Sequence, residues 1–205
     1  MKDVYVFFIA TQFGTGRAIQ LLTRNKYSHV ALSFAPDTRV LYSYARYRYH
    51  EPLLSGFGIE YTDRYALYRR PADIRVCRCP VTDDHYARIL TRLEQYARLQ
   101  GSTRYNFFDV LAYPFHRHVE LELTHTCLSF LLELLEMPDI HTIAALERRL
   151  DACVLYEGPL SDFEVAPTSG PIDFYERRPR RQVAAESGRE LVRLSASLVR
   201  KLVNE

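Results

Sequence analysis

The chain has 205 residues, of which 47% are hydrophobic and 13% aromatic, enough apolar material for one folded domain with a substantial core. Because 27 basic and 25 acidic side chains give a formal net charge of only +2, we expect no nucleic acid as the main partner. The apolar runs are too short to span a bilayer, no cleavage signal is found, and the cysteines have no repeated spacing, which together predict a cytoplasmic protein.

The N-terminal part of the chain is predicted to form strands around one short helix. Residues 4–10 have the pattern of a buried strand, and a glycine-rich turn then opens a helical pattern over residues 14–22. Residues 29–34 and 40–49 are predicted to pair as a hairpin, because a proline and an aspartate lie in the connection between them. His29 begins the first strand of this pair.

The following part of the chain is predicted to be mostly helical. Residues 74–79 have the pattern of one more strand, and an amphipathic helix is expected over residues 83–100. A second helix is predicted over residues 107–113. A strongly apolar third helix begins near Thr126, and Pro138 is expected to end it.

Cys127 is a candidate nucleophile because of its position in this third helix. Thr126 is a good N-cap, and it places Cys127 in the first helical turn, where free backbone N–H groups and the helix dipole stabilise a thiolate. An ordinary thiol, with a pKa of about 8.5, needs this dipole or a neighbouring imidazole to be largely ionised at neutral pH. His29 can supply the imidazole if its strand packs beside the helix. The other interpretation is a cysteine buried in the core.

Several tracts of the sequence resemble one known family. The resemblance is to the circularly permuted branch of the NlpC-like papain-fold hydrolases, and it is carried by "GTGRAIQLLTRNKYSHVALSF", "YNFFDVL" and "THTCLSFLLELL". In that branch the histidine precedes the cysteine. The segments "GFGIE" and "LYEGPL" also look like recurrent family segments, so the similarity covers roughly residues 4–160. It implies an α+β, papain-like fold in which an antiparallel sheet packs against helices.

The same resemblance implies a thiol enzyme. It makes Cys127 the nucleophile and His29 the general base of a hydrolase or acyl-transfer enzyme that acts on an amide or ester through a thioester. Relatives include amidases, peptidases of cell-wall peptides and lipid acyltransferases, so the expected substrate is a small amide, a peptide or a lipid ester. No cofactor is expected, and no metal, because the nucleophile must stay free. The alternative is a catalytically degenerate binding module that a partner or membrane recruits through its C-terminal helix.

Two positions of the implied site stay open. The group that orients the imidazole in such sites is polar and commonly lies on the strand after the histidine, where this sequence has Ser43. Glu60 is the charged alternative, since a carboxylate would also stabilise the imidazolium. The oxyanion needs the Cys127 backbone N–H and a second donor, for which Tyr27 and Tyr105 are the candidates.

Two further patterns suggest different chemistry. Alternating side chains on one face of a strand can bind zinc, and the pairs with this spacing are His116 with His118 and His125 with Cys127. An exposed connection explains the same stretch. The tract "YSYARYRYH" interleaves tyrosines with arginines, as single-stranded nucleic acid sites do, although an aromatic strand near a sheet edge has the same composition.

The C-terminal segment is predicted to be separate from the papain-like domain. We assign the domain to residues 1–170, and an arginine-rich linker with an amphipathic helix to residues 171–205. Ser187 and Glu190 have the spacing of a capping box, which predicts that the helix begins there. Its leucines share one face, which is expected to pack on the domain, pair with a second copy or lie on a membrane surface.

Overall fold

A computed structural model of the protein describes residues 1–12, 14–23, 25–37, 40–66, 71–112, 119–163 and 174–204. Within these ranges the strands are β1 (Lys2–Ile9), β2 (His29–Ser33), β3 (Val40–Arg46), β4 (Ser55–Tyr61), β5 (Asp73–Val81), β6 (Arg104–Tyr105), β7 (Thr124–His125) and β8 (Val154–Pro159). The helices are α1 (Gly14–Thr23), α2 (Asp63–Ala66), α3 (Asp83–Arg98), α4 (Phe107–Ala112), α5 (Cys127–Leu134), α6 (Ile143–Arg149) and α7 (Arg180–Asn204).

Six of these strands form one sheet in the order β4-β3-β2-β1-β5-β8, and every neighbouring pair is antiparallel. The short strands β6 and β7 pair with each other in parallel. In the register of the large sheet, His29 at the start of β2 lies opposite Ile9 at the end of β1. This architecture confirms the predicted α+β class with an antiparallel sheet packed against helices.

Strand β1 is apolar on both of its faces because the sheet is covered on both sides. Alternate side chains of a strand point to opposite faces, so Phe8 and Phe7 belong to different halves of the core. The Phe8 half packs against α3 and α5, where Phe130 is fully buried. The Phe7 half packs against Tyr65 in α2 and against Phe174. Helix α5 therefore lies on one face of the sheet, and α2 lies on the other.

The predicted helix starts agree with the structure better than the predicted ends. The side chain of Thr82 caps α3, and Thr126 and Ser129 form a reciprocal capping box at the start of α5. Helix α5 ends at Leu134, short of Pro138, because Glu136 has a left-handed backbone with φ of 55°. Helix α4 follows the predicted one as far as residue 112, and residue 113 lies outside the described residues.

The predicted hairpin is present as β2 and β3, and residues 38 and 39 of its connection lie outside the described residues. Strand β3 ends at Arg46 and not at Tyr49, because the backbone N–H of Tyr47 donates to the carbonyl of Leu54 and turns the chain toward β4. Strands β4 and β8 have no counterpart among the predicted elements. They cover the two segments that the sequence identified only as recurrent family segments.

The C-terminal helix begins earlier than the capping box predicts. Helix α7 starts at Arg180, immediately after Pro179, whose carbonyl accepts hydrogen bonds from the first turn of the helix. The segment before it is held in place, because Arg178 binds both carboxylate oxygens of the buried Glu51 at 2.6 Å. The prediction that the helix begins at Ser187 was therefore wrong. The predicted boundary between residues 170 and 171 lies outside the described residues.

Candidate active site

Cys127 is the first residue of α5, and its position follows from the local sequence. The hydroxyl of Thr126 caps the helix by accepting the backbone N–H of Ser129 at 3.0 Å. The Cys127 N–H, two residues earlier, has no partner within the helix. The apolar residues that follow pack α5 against β2 and β3, which holds the buried thiol at the surface of the sheet.

His29 lies next to this thiol, at the start of β2. One ring nitrogen, Nε2, is 2.8 Å from a carboxylate oxygen of Glu60, and the imidazole lies close enough to the Cys127 sulfur for each group to shift the pKa of the other. Because Nε2 is engaged by Glu60, Nδ1 is the nitrogen left for the sulfur. The carboxylate, the imidazole and the thiol are therefore neighbours in the fold, although they are far apart in the sequence.

Glu60 is fixed by groups beyond the histidine. Its second carboxylate oxygen accepts the Arg64 guanidinium at 2.9 Å and also the Tyr65 hydroxyl, and both donors come from α2. Burial alone would raise the pKa of the Glu60 carboxyl, but the charges of His29 and Arg64 hold it well below its ordinary value. Glu60 is therefore an anion at neutral pH, held in one orientation by three donors.

Ser43 is the weaker of the two candidates for orienting the histidine. Its hydroxyl is 3.4 Å from His29 Nε2, compared with 2.8 Å for Glu60. The hydroxyl donates to the backbone carbonyl of Val30 at 3.0 Å, so its proton is directed away from the ring. The geometry thus assigns the orienting position to Glu60 and makes Ser43 a buried neighbour.

The charges of the site favour an ion pair. Burial by itself would lower the pKa of the His29 imidazole, but the Glu60 carboxylate and the Cys127 sulfur raise it to about 10. Burial would raise the pKa of the Cys127 thiol, but the charge of His29 and its hydrogen bond lower it. Hydrogen bonds from the Val30 N–H and the Tyr105 hydroxyl add to this effect. The site therefore favours the imidazolium form of His29 and shifts Cys127 toward the thiolate.

Of the two tyrosines predicted as oxyanion donors, only Tyr105 is near the thiol. Its hydroxyl lies 3.9 Å from the Cys127 sulfur and is also hydrogen-bonded to the Cys127 backbone N–H. Tyr27 is fully buried elsewhere in the core, and its hydroxyl donates to Glu157 at 2.8 Å. The assignment of Tyr27 is therefore corrected: its donor is engaged on the β8 side of the sheet.

Two cavities meet at the candidate site. The larger, about 800 Å³, reaches Cys127 and is lined mostly by apolar side chains of α5 and of the segment after it, together with Asp109, His125 and Glu133. The smaller, about 250 Å³, reaches His29 and includes Arg64 and Tyr65. Ser28, Tyr105 and Val110 line both cavities. The thiol and the imidazole therefore lie between two separate spaces.

The alternative zinc ligands have different partners in the structure. His125 lies 2.9 Å from the Tyr96 hydroxyl, which in turn donates to Glu133 at 2.7 Å. Cys127 contacts His29 instead, so these two residues do not converge on one point. Among the described residues no group of three or more His, Cys, Asp or Glu side chains is placed to hold a metal ion. His116 and His118 lie outside the described residues.

The tyrosine- and arginine-rich tract is largely packed into the fold. Tyr44 is fully buried against Phe57, Tyr96 and Phe130. Tyr49 contacts Phe174 and Tyr175, and Arg48 binds Glu176 at 2.6 Å. These contacts account for much of the aromatic content of the tract.

The sequence did not predict which residues hold the orienting carboxylate of Glu60 in place. Arg64 and Tyr65 hold the carboxylate that holds the ring, and Phe174 packs over the Arg64 guanidinium at 4.1 Å. Glu60 and Arg64 are four residues apart, and this spacing was the one signal for the ion pair in the sequence. The same spacing is common in exposed helices, so it did not indicate that the pair is buried.

Comparison of the chain with protein-family models, with curated proteins and with solved structures gives no match. The described residues contain no helix that is both long enough and apolar enough to cross a membrane. The case for a function therefore rests on the geometry of the Cys127 site.

Proposed function

We propose that the protein is a cysteine-dependent hydrolase or acyl-transfer enzyme that cleaves an amide or ester through a thioester on Cys127. The observation that carries this proposal is the placement of His29 between Glu60 and Cys127 as a partner of both, with the thiol at the start of a helix and lining a large cavity. A buried cysteine that serves only as core has no need of an oriented imidazole beside it. Nucleophile, base and orienting group are the three parts that thiol catalysis requires.

In the first half of the reaction, the Cys127 thiolate attacks the carbonyl carbon of the substrate. The C=O electron pair moves onto oxygen, for which the Cys127 N–H and the Tyr105 hydroxyl are the donors that we propose. When the tetrahedral intermediate collapses, the bond to the leaving nitrogen or oxygen breaks. The His29 imidazolium gives its proton to that leaving group, and the acyl group stays on sulfur as a thioester.

In the second half, neutral His29 acts as a general base. It accepts a proton from water or from an alcohol or amine acceptor, whose oxygen or nitrogen attacks the thioester carbon. Collapse of the second intermediate releases the acyl product and expels the Cys127 thiolate. His29 keeps the proton that it accepted, so the imidazolium and thiolate forms are restored. Glu60 stabilises the imidazolium whenever His29 carries the proton, and it keeps Nδ1 directed at the sulfur.

The two cavities favour a division of the substrate between them. The larger space at Cys127 has mainly apolar walls, which suits an apolar acyl group or side chain. The smaller cavity suits the leaving group and then the acceptor, because the His29 imidazole, which donates and accepts the proton, lines this cavity. This division agrees with the amide, peptide or lipid-ester substrates implied by the resemblance to permuted papain-fold enzymes, and we propose that fold family for the chain.

Activated esters test the proposal without knowledge of the natural substrate. The purified protein is incubated with p-nitrophenyl acetate, butyrate, octanoate and dodecanoate, and the release of nitrophenol is followed. Part of each reaction is quenched in acid, and the acylated peptide is located by mass spectrometry. We expect an acyl group on Cys127 and faster turnover as the chain lengthens, until it exceeds the cavity.

A matched variant tests whether acylation and turnover depend on Cys127 in particular. Cys77→Ala removes another buried thiol of the same core half and should keep both the adduct and the rate. The binding-module alternative predicts nitrophenol release at the buffer rate, with Cys127 unmodified. That result in a folded protein would overturn the enzymatic proposal.

A further inference from the structure

Helix α7 has 25 residues, and one of its sides faces the rest of the protein. Leu194 on that side is buried. Glu186 binds Arg178 at 2.7 Å and Glu190 binds Arg104 at 2.5 Å, so both acidic residues of the helix are directed at the protein body. Arg104 precedes Tyr105 in β6, which places this attachment one residue from the candidate site.

The opposite side of α7 is apolar and exposed. At about 100° per residue, ten of its uncharged residues from 184 to 203 occupy one face roughly 140° wide. The large aliphatic side chains on this face are each more than half exposed, and they are Leu191, Val192, Val199, Leu202 and Val203. Small side chains fill the rest of the face: Ala184, Ala185, Gly188, Ser195 and Ala196. An apolar face of this width in contact with water is costly for a soluble helix.

The charges around this face are of one sign. Every exposed charged residue of the helix is an arginine, at positions 180, 181, 189, 193 and 200. Arg189 and Arg200 border the apolar face on the same side at about 100° per residue. The acidic residues are already paired, Glu186 with Arg178 and Glu190 with both Arg104 and Arg193. The surface that α7 presents is therefore aliphatic in the middle and cationic along one border.

We infer that the outward face of α7 binds an anionic lipid surface and lies in its plane. The aliphatic side chains would enter the boundary between headgroups and acyl chains, while the bordering arginines would contact acidic headgroups. Pairing of this face with a second copy is disfavoured by charge, because it would bring two arginine borders together with no exposed acid on the helix to compensate.

Vesicle flotation tests this inference with the full chain. Vesicles of phosphatidylcholine with phosphatidylserine are compared with vesicles of pure phosphatidylcholine, at low and at high salt. We expect binding to the anionic vesicles that weakens with salt. Replacing Leu191 and Val199 with glutamine should lower binding about tenfold, and replacing Arg189 and Arg200 with glutamine should do so to a similar extent.

A double variant at Leu90 in α3 and Leu99 at its C-terminal cap is the matched control. Leu90 is 41% exposed and Leu99 40%, compared with 51% for Leu191, and their replacement by glutamine should leave vesicle binding unchanged. Circular dichroism verifies that each variant is folded. Absence of binding to anionic vesicles would overturn the inference. So would equal binding to neutral vesicles, or a dimer in sedimentation velocity that the Leu191 and Val199 replacements dissociate, which would make this face an interface between copies.

Discussion

Two buried cysteines lie in the same half of the core, Cys127 at the start of α5 and Cys77 in the middle of β5. Each has a basic neighbour, His29 for Cys127 and Arg75 for Cys77. Burial dominates at Cys77 and raises its pKa to about 11, in spite of the arginine. At Cys127 burial also raises the pKa, but the charge and hydrogen bond of His29, together with hydrogen bonds from Val30 and Tyr105, outweigh it and lower the pKa.

The two cations differ in how much of their charge is left for the sulfur. Arg75 is bound by Glu147 at 2.9 Å, by Asp151 and, at 3.8 Å, by Glu157, so its charge is largely neutralised by acids. His29 faces one carboxylate, Glu60, which also binds an arginine. A helix start also offers the sulfur free N–H groups that the middle of a strand does not. A nearby cation is thus insufficient to activate a thiol when carboxylates already compensate it.

Removal of each sulfur should give the largest contrast between the two cysteines. Cys127→Ala should lower ester hydrolysis by at least about 10³-fold, because the thioester cannot form. Cys77→Ala should retain the wild-type rate, since its thiol is protonated at neutral pH. Initial rates with p-nitrophenyl butyrate measure both. Equal loss in two folded variants would mean that neither thiol is the nucleophile.

Neutralising Glu60 should weaken the site while its shape is kept. Glu60→Gln is expected to lower the rate about 10- to 100-fold, because the imidazolium loses its stabilising charge. The pKa of His29 falls with that loss, so the decline of activity on the basic side should move to lower pH. The Ser43 hydroxyl donates to a backbone carbonyl, so Ser43→Ala should change neither the rate nor its pH dependence much. Full pH–rate profiles of both variants measure these effects. A larger effect of Ser43→Ala than of Glu60→Gln would assign the orienting position to Ser43.

The same substitution should alter the pH dependence of stability. The folded pKa of Glu60 lies below its ordinary value of 4.5, so this carboxylate contributes stability above that pH and loses the contribution as the pH falls. Glu60→Gln should cost about 3–5 kcal/mol at pH 7, because Arg64 and His29 are left buried without their anion. Urea unfolding should show this difference shrinking between about pH 5 and pH 3. Glu136→Gln is the exposed control, and an identical pH trend in both variants would contradict the explanation.

The smallest expected effect is a change in the alkylation rate of Cys77. Asp151→Asn removes one of the acids that occupy Arg75, which should lower the pKa of Cys77 slightly. Alkylation of Cys77 at about pH 9 should then rise by less than about threefold, since burial still dominates. Peptide mapping after timed labelling measures the change. A slower reaction than in the wild type would show that Asp151 does not hold the arginine charge away from the sulfur.

Local patterns predicted the parts of the site that are local. The Thr126 cap and the apolar helix after it place Cys127 correctly, and the start of β2 places His29. The partner of the histidine depends on the order of the sheet, because Glu60 belongs to β4, which joins the sheet beyond β3. Strand β4 carries no strong alternation and gave no strand prediction. Tyr27 is near His29 in sequence, but its hydroxyl is directed toward β8.

The selective reactivity of Cys127 tests the central claim most directly. Iodoacetamide labelling from about pH 5 to 9, followed by peptide mapping, measures every cysteine in one experiment. The reagent can reach Cys127 through the cavity that the thiol lines. We expect Cys127 to react at mildly acidic pH, where Cys77 and Cys79 do not, and His29→Ala to move its reactive range to higher pH in a folded protein. If Cys127 reacts no faster than Cys77 and Cys79, or if its pH profile is unchanged in His29→Ala, the histidine does not activate the thiol.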